Sequence, residues 1–252
     1  KTWRRIDLPS EYSKLTHPSL ASHGGMLYMH CVTFRKNATI GVPSILQYCD
    51  TPDNGDGGRG GGGGGQWAKV RDVTHVSHLW CTLHASNAAI SLYGGQDDEL
   101  MHSHVSTYLK HSRGKQWSSQ SALYGTSLTS LPLPCSSASL VTFPDSLYIV
   151  GGDTGCFFKH HDRSWVSTSP PDGVELMFSA ACALSEHSMV ICPQYPSAKC
   201  AVHDILSGQS YPLPAIPAVG ACTPSLTLFG STLVLSVGGY DGGTLYTLDM
   251  SV

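Results

Sequence analysis

The sequence predicts an all-β fold, a β-propeller in which small four-stranded sheets form a ring. Two observations carry this. An apolar strand closed by a Gly-Gly pair recurs at 91–95 (SLYGG), 147–152 (LYIVGG) and 233–239 (LVLSVGG). A tryptophan or tyrosine then follows, and the interval from it to the next apolar strand is nearly constant. Self-similarity at such a period marks a repeat architecture whose units must stack to bury their apolar faces.

Taken in order, the first unit runs from Met26-Leu27-Tyr28-Met29 through 44–48 and Asp50 to Trp67. The second follows Gly94-Gly95 with Gln96-Asp97-Asp98, an apolar strand at 105–108, and Trp117. The third follows Gly151-Gly152 with Asp153-Thr154-Gly155, then Cys156-Phe157-Phe158, His161-Asp162 and Trp165. The fourth is degenerate: Met189-Val190-Ile191-Cys192-Pro193 leads into Ala201-Val202-His203-Asp204, a Ser207-Gly208 turn and Tyr211. The fifth follows Gly238-Gly239 with Tyr240-Asp241-Gly242-Gly243, a strand at 245–248 and Asp249. The closing aromatic precedes the next strand by 25 residues from Trp3 to Tyr28, 26 from Trp67 to Tyr93 and 25 from Trp165 to Val190. It is 24 from Tyr211 to Leu235, and 31 from Trp117 to Tyr148, a modest insertion.

This pattern resembles the kelch repeat, in which an apolar strand ending in Gly-Gly is followed by a Tyr-Asp pair and, about six residues later, a tryptophan. The resemblance covers nearly the whole chain. Leu8-Pro9, Leu131-Pro132 and Leu213-Pro214 look like the segments that link kelch blades. Cys192-Pro193 and His30-Cys31 stand where glycines are expected, so those two blades should be the least regular. The resemblance implies a protein-binding role: substrate recognition for ubiquitin ligases, cytoskeletal binding or scaffolding. Kelch-type rings also include copper oxidases similar to galactose oxidase.

The ends of the sequence predict how the ring closes. Lys1-Thr2-Trp3 reads as the last strand of a blade, and Asp249 to Val252 stops where such a strand is due. An N-terminal strand completing the C-terminal blade removes an open sheet edge. The expectation is one domain over 1–252, five blades closed by an N-terminal strand; the rival is a piece of a six- or seven-bladed ring or of a longer chain.

Composition narrows the function. Charged residues are 13% and the formal net charge is −3, so no basic footprint favours a nucleic acid partner. No apolar run approaches the roughly 18–20 residues of a membrane helix. The nine cysteines are an odd number, most of them in or beside strands, where a thiol packs as a small hydrophobe. Reduced thiols and a cytoplasmic location are expected, against which Asn37-Ala38-Thr39 is a weak glycosylation signal. The glycine-rich stretch 51–66 is expected to be a disordered surface loop, because such a composition buries too little area to offset its ordering entropy.

Candidate partner-binding residues come from position. Asp97, Asp98 and Glu99, then Asp153, then Tyr240 and Asp241 all follow a Gly-Gly pair directly. Equivalent turns emerge on one face of a propeller, so these residues should rim one mouth of the channel and favour a basic peptide or surface. Turn preference for Asp explains each residue singly. The histidines at 102 and 104, 160 and 161, and 75 and 78 form clusters, but a metal site needs three or four converging ligands; no cofactor is expected. Trp3, Trp67, Trp117, Trp165 and Tyr211 read as packing between blades, with Trp80 outside the pattern. A glycosidase needs converging carboxylates, whereas the candidate inner strands at 136–140, 179–183 and 220–226 are rich in Ser and Ala. The function expected is a monomeric, non-catalytic protein-interaction module. An enzyme on the same scaffold, a copper oxidase or a five-bladed glycosidase, is the alternative.

Overall fold

A computed structural model describes residues 2–6, 16–34, 41–49, 66–72, 82–85, 89–93, 105–110, 117–121, 136–162, 164–194, 199–216, 224–239 and 242–251. The described residues form twenty strands in five four-stranded antiparallel sheets. The first sheet holds β2 (Thr16–His23), β3 (Met26–Phe34), β4 (Gly41–Cys49) and β5 (Gln66–Asp72) in that order. The second holds β6 (Thr82–Ala85), β7 (Ala89–Tyr93), β8 (Val105–Lys110) and β9 (Trp117–Ser121). The third holds β10 (Ala138–Thr142), β11 (Leu147–Gly151), β12 (Cys156–His161) and β13 (Ser164–Ser167). The fourth holds β14 (Ala180–Ala183), β15 (Ser188–Cys192), β16 (Ala201–Asp204) and β17 (Ser210–Pro212). In the fifth, β18 (Pro224–Phe229), β19 (Thr232–Gly239) and β20 (Gly242–Asp249) are joined by β1 (Arg4–Ile6).

β1 pairs antiparallel with β20 through Arg4↔Thr247, Arg5↔Tyr246 and Ile6↔Leu245. The N-terminal segment therefore supplies the outermost strand of the last sheet, with Trp3 just before it rather than within it. Trp3 is buried among Leu226, Leu235 and Leu248, and its Nε1–H donates to the Pro214 carbonyl at 3.2 Å. The first strands touch in the cycle β2, β6, β10, β14, β18 and back to β2. This is the arrangement of a β-propeller.

The core lies between sheets. Val141, Tyr148, Val150 and Phe157 of the third sheet pack on Ala181, Met189 and Ile191 of the fourth. Ala180, Cys182, Val190 and Cys192, on the opposite face of the fourth, pack on Leu226, Leu233, Leu235 and Val237 of the fifth. Period-two alternation thus serves two neighbours at once, which is why these strands are apolar on both faces.

The expectation of two irregular blades holds for one of them. The first sheet has register shifts between Thr16 and Ser19 and between Ile45 and Leu46. The fourth sheet keeps an unbroken register throughout. Tyr211 also departs from its expected packing role: it is 54% exposed on an outermost strand, its hydroxyl donating to Gln209 Oε1 at 2.6 Å. Trp165 and Trp67 are half-buried. Trp80 and residues 51–65 lie outside the described residues.

Candidate functional site

The first strands surround a channel of about 370 Å³. Its described lining comes from β2, β6, β10, β14 and β18 and includes Ser19, Ser22, Ser139, Ala181, Ser225 and Thr227. Several of these hydroxyls join one sheet to the next. Ser19 Oγ accepts the Leu83 amide at 2.8 Å, Ser139 Oγ the Ala181 amide at 2.9 Å, and Ser225 Oγ the Leu20 amide at 2.7 Å. Ser22 Oγ donates to the Leu228 carbonyl, and Thr227 Oγ1 donates to Ser22 Oγ at 3.2 Å. An innermost strand has an edge with no ladder partner, and its amides must find acceptors elsewhere. The hydroxyl stripe supplies them.

These bonds also set the true correspondence between sheets. Ser19, Ser139 and Ser225 lie opposite His30, Val150 and Ser236. Thr82, opposite Tyr93, and Ala180, opposite Cys192, hold the same position. Cys192 and His30 therefore correspond to Val150, not to Gly151 as the spacing of apolar residues implied. Pro193, Cys31 and Val237 take the place of the first glycine, so Gly238-Gly239 stands one residue later in its sheet than Gly151-Gly152 does. Alternation decides this: Cys192 faces the following sheet, as Val150 does.

The Gly-Gly pair of the third sheet has a steric cause. Gly151 and Gly152 sit at φ of 87° and 76°, a region that disfavours side chains. A Cβ on Gly151 would strike the Ser179 carbonyl and come within 2.7 Å of Ser179 Oγ, just before β14 of the next sheet. One on Gly152 would lie 2.9 Å from the Ser136 carbonyl. Asp153 follows, half-buried, and is tied down twice. Its amide donates to the Ser136 carbonyl and its Oδ1 accepts the Ser136 amide, both at 3.1 Å. The carboxylate of Asp153 thus first secures the entry to β10. Asp97, Asp98, Glu99, Tyr240 and Asp241 lie outside the described residues, so of the six rim residues only Asp153 is placed.

Among the histidine clusters, 160 and 161 are adjacent on β12 and point to opposite faces. His160 meets Trp165 edge-on at 5.0 Å, while His161 is exposed and 3.1 Å from Asp162. The pairs at 75 and 78 and at 102 and 104 lie outside the described residues. Among the described residues no three His, Cys, Asp or Glu side chains converge as metal ligands would, and no helix is long and apolar enough to cross a membrane. His203, missed in the sequence, is buried on β16 with Nδ1 3.1 Å from Ser210 Oγ and its ring edge-on to Phe157. Burial holds its pKa below the usual histidine value, opposed by Asp204 and a bond to Gln209. An outer groove of about 470 Å³ lies beside Asp172, Glu175, Lys199, Cys200 and Tyr211.

The fold defines the chain as a β-propeller, and comparison with known proteins reaches the same class. No family model matches the sequence, and no curated protein matches it. Among solved structures it is similar to YjhT, with a TM-score of 0.53 at 8% identity, over 91% of this chain and 74% of that one. At that identity the likeness is one of fold alone.

Proposed function

We propose that this chain is a five-bladed, kelch-like propeller that acts as a non-catalytic protein-interaction module in the cytoplasm. Its partner is a protein that presents a basic peptide or basic surface, held by the connections on one face of the ring. The observation that carries this reading is the placement of Asp153. It sits half-exposed at the end of the second strand of its sheet, on a turn held by two bonds to Ser136. Rigid turns that carry charge on a fixed scaffold suit recognition, because little ordering is left to pay for on binding. Asp97, Asp98, Glu99, Tyr240 and Asp241 also follow Gly-Gly pairs in sequence and would extend the same acidic rim. The channel lining supports the same reading, since the Ser19, Ser139 and Ser225 hydroxyls are engaged in joining the sheets. Cys31, Cys156, Cys182, Cys192 and Cys200 are buried free thiols, in keeping with a reducing compartment.

The test is capture of partners from cell lysate on the purified chain and on a variant with Asp97, Asp98, Asp153 and Asp241 changed to Asn. A protein retained by the native chain, released by added salt and lost by the variant supports recognition through the rim. Equal retention by both chains removes the acidic rim from the account.

A further inference from the structure

The fourth sheet contains a thiol pair whose placement follows from strand register. β15 and β16 run antiparallel, ending at Ile191↔Ala201. Continuing that register one step sets Cys192 opposite Cys200, the residue just before β16. Cys200 is held on its other side as well, where the Leu213 amide donates to its carbonyl at 2.7 Å. Residues directly opposite in an antiparallel pair have Cα atoms roughly 4.5–5.5 Å apart. A disulfide spans about 4.4–6.8 Å. The two side chains lie in one buried cluster, which packs against Leu235 and Val237, and the Cys200 thiol is near enough to act electrostatically on Cys192. Both residues are fully buried.

The geometry points to Cys192 and Cys200 as a cross-strand pair that closes to a disulfide when the chain folds in the presence of a disulfide oxidant such as glutathione disulfide. The thiolate of one cysteine attacks the oxidant, forming a mixed disulfide and releasing one glutathione. The thiolate of the other attacks the protein sulfur of that mixed disulfide and releases the second glutathione. The two thiol protons end on the two glutathiones, and the pair of electrons lost by the cysteines reduces the oxidant. The bond would tie the end of β15 to the residue that precedes β16. Lys199, on the wall of the outer groove, adjoins it. Cys182 shares the cluster but lies opposite Val190, one diagonal away, and is not the partner.

Burial governs when the reaction happens. It pushes the Cys192 thiol well above its usual pKa, with the Cys200 and Cys182 thiols adding to the effect. In the folded chain Cys192 is therefore seldom a thiolate, the form that acts as nucleophile, and burial shields both sulfurs from the oxidant. The pair should oxidise while the fourth and fifth sheets are apart and resist once they have closed. This inference does not depend on the partner-binding reading.

The experiment is refolding from urea in a buffer of reduced and oxidised glutathione, followed by alkylation of free thiols and non-reducing peptide mapping. The expected result is a peptide linking Cys192 to Cys200, two hydrogens lighter than the free pair. It should form at least tenfold faster during refolding than in folded protein given the same buffer. Cys192→Ser and Cys200→Ser should each abolish it, and Cys182→Ser should leave it intact. Refolded protein that lacks the Cys192–Cys200 peptide, or that links Cys182 to either residue instead, overturns the proposal. Circular dichroism of the refolded wild-type chain confirms that the sheets have formed before the map is read.

Discussion

Removing the Ser19 hydroxyl tests whether the hydroxyl stripe holds neighbouring sheets together. Ser19 Oγ is the acceptor for the Leu83 amide in a fully buried bond of 2.8 Å. Ser19→Ala changes little volume but leaves that amide without its acceptor. A buried polar group stripped of its partner costs about 1–3 kcal/mol. Ser139→Ala and Ser225→Ala remove equivalent bonds that are only part-buried. Channel water can replace those acceptors, so each should cost about 0.5–1.5 kcal/mol. At Ala180 no hydroxyl is offered to the amide of Leu226, and Ala180→Ser should gain up to about 1 kcal/mol. The assay is equilibrium urea unfolding followed by tryptophan fluorescence. With a slope of about 3 kcal/mol per molar, a loss of about 2 kcal/mol lowers the midpoint by roughly 0.7 M. A Ser19→Ala midpoint equal to the wild type's would refute the claim that this bond joins the sheets. A larger loss at Ser139 than at Ser19 would refute the argument from burial.

Gly151→Ala should destabilise by at least about 2 kcal/mol in the same assay, since it combines a strained positive φ with a clash against the Ser179 carbonyl. Asp153→Ala should lower stability by about 1 kcal/mol by freeing the Ser136 amide, whereas Asp153→Asn keeps an acceptor and should remain near wild type. Unfolding midpoints of the two variants, measured side by side, check this. His203 has a folded pKa below its unfolded value, so the unfolded chain takes up a proton at higher pH than the folded one. Its contribution is present above the unfolded pKa of about 6.5 and is lost as pH falls through the folded value. Unfolding midpoints at pH 7.5 and 5.5 should therefore converge when His203→Gln removes the titration. Asp204 accepts the Ser207 amide and hydroxyl and the Leu206 amide, which hold its pKa below the usual carboxylate value. That contribution persists above the ordinary carboxylate range and fades only as pH falls through the folded pKa, and Asp204→Ala should lessen acid sensitivity there.

Much of the architecture was legible because repetition and alternation are properties of the chain itself. The strands ending at Tyr93, Gly151 and Gly239 were visible as apolar runs. The small residues expected at 136–140 and 179–183 belong to innermost strands, β10 and β14, because only short side chains fit around a crowded axis. The candidate site was far less legible. Asp153 looked like a rim carboxylate free for a partner, yet its first bond is to its own sheet, a contact made across 17 positions. Nothing local to GGDTG announces that.

The sequence by itself determined the all-β class and the repeating sheet, since each depends on residues close along the chain. It also placed the segment that completes the last sheet, although the paired strand proved to be Arg4–Ile6 rather than the residues around Trp3. Only the tertiary structure decided the correspondence between sheets. Pro193, not Cys192, replaces the first glycine, because side-chain direction across a strand is set by which neighbouring sheet it meets. It alone set Ser19 against Leu83 and gathered Cys192 and Cys200 into one buried cluster. The Ser19 contact joins residues 64 positions apart, and the cysteines meet through strand register. Both are decided by how strands pair and sheets close, not by anything short-range in the chain.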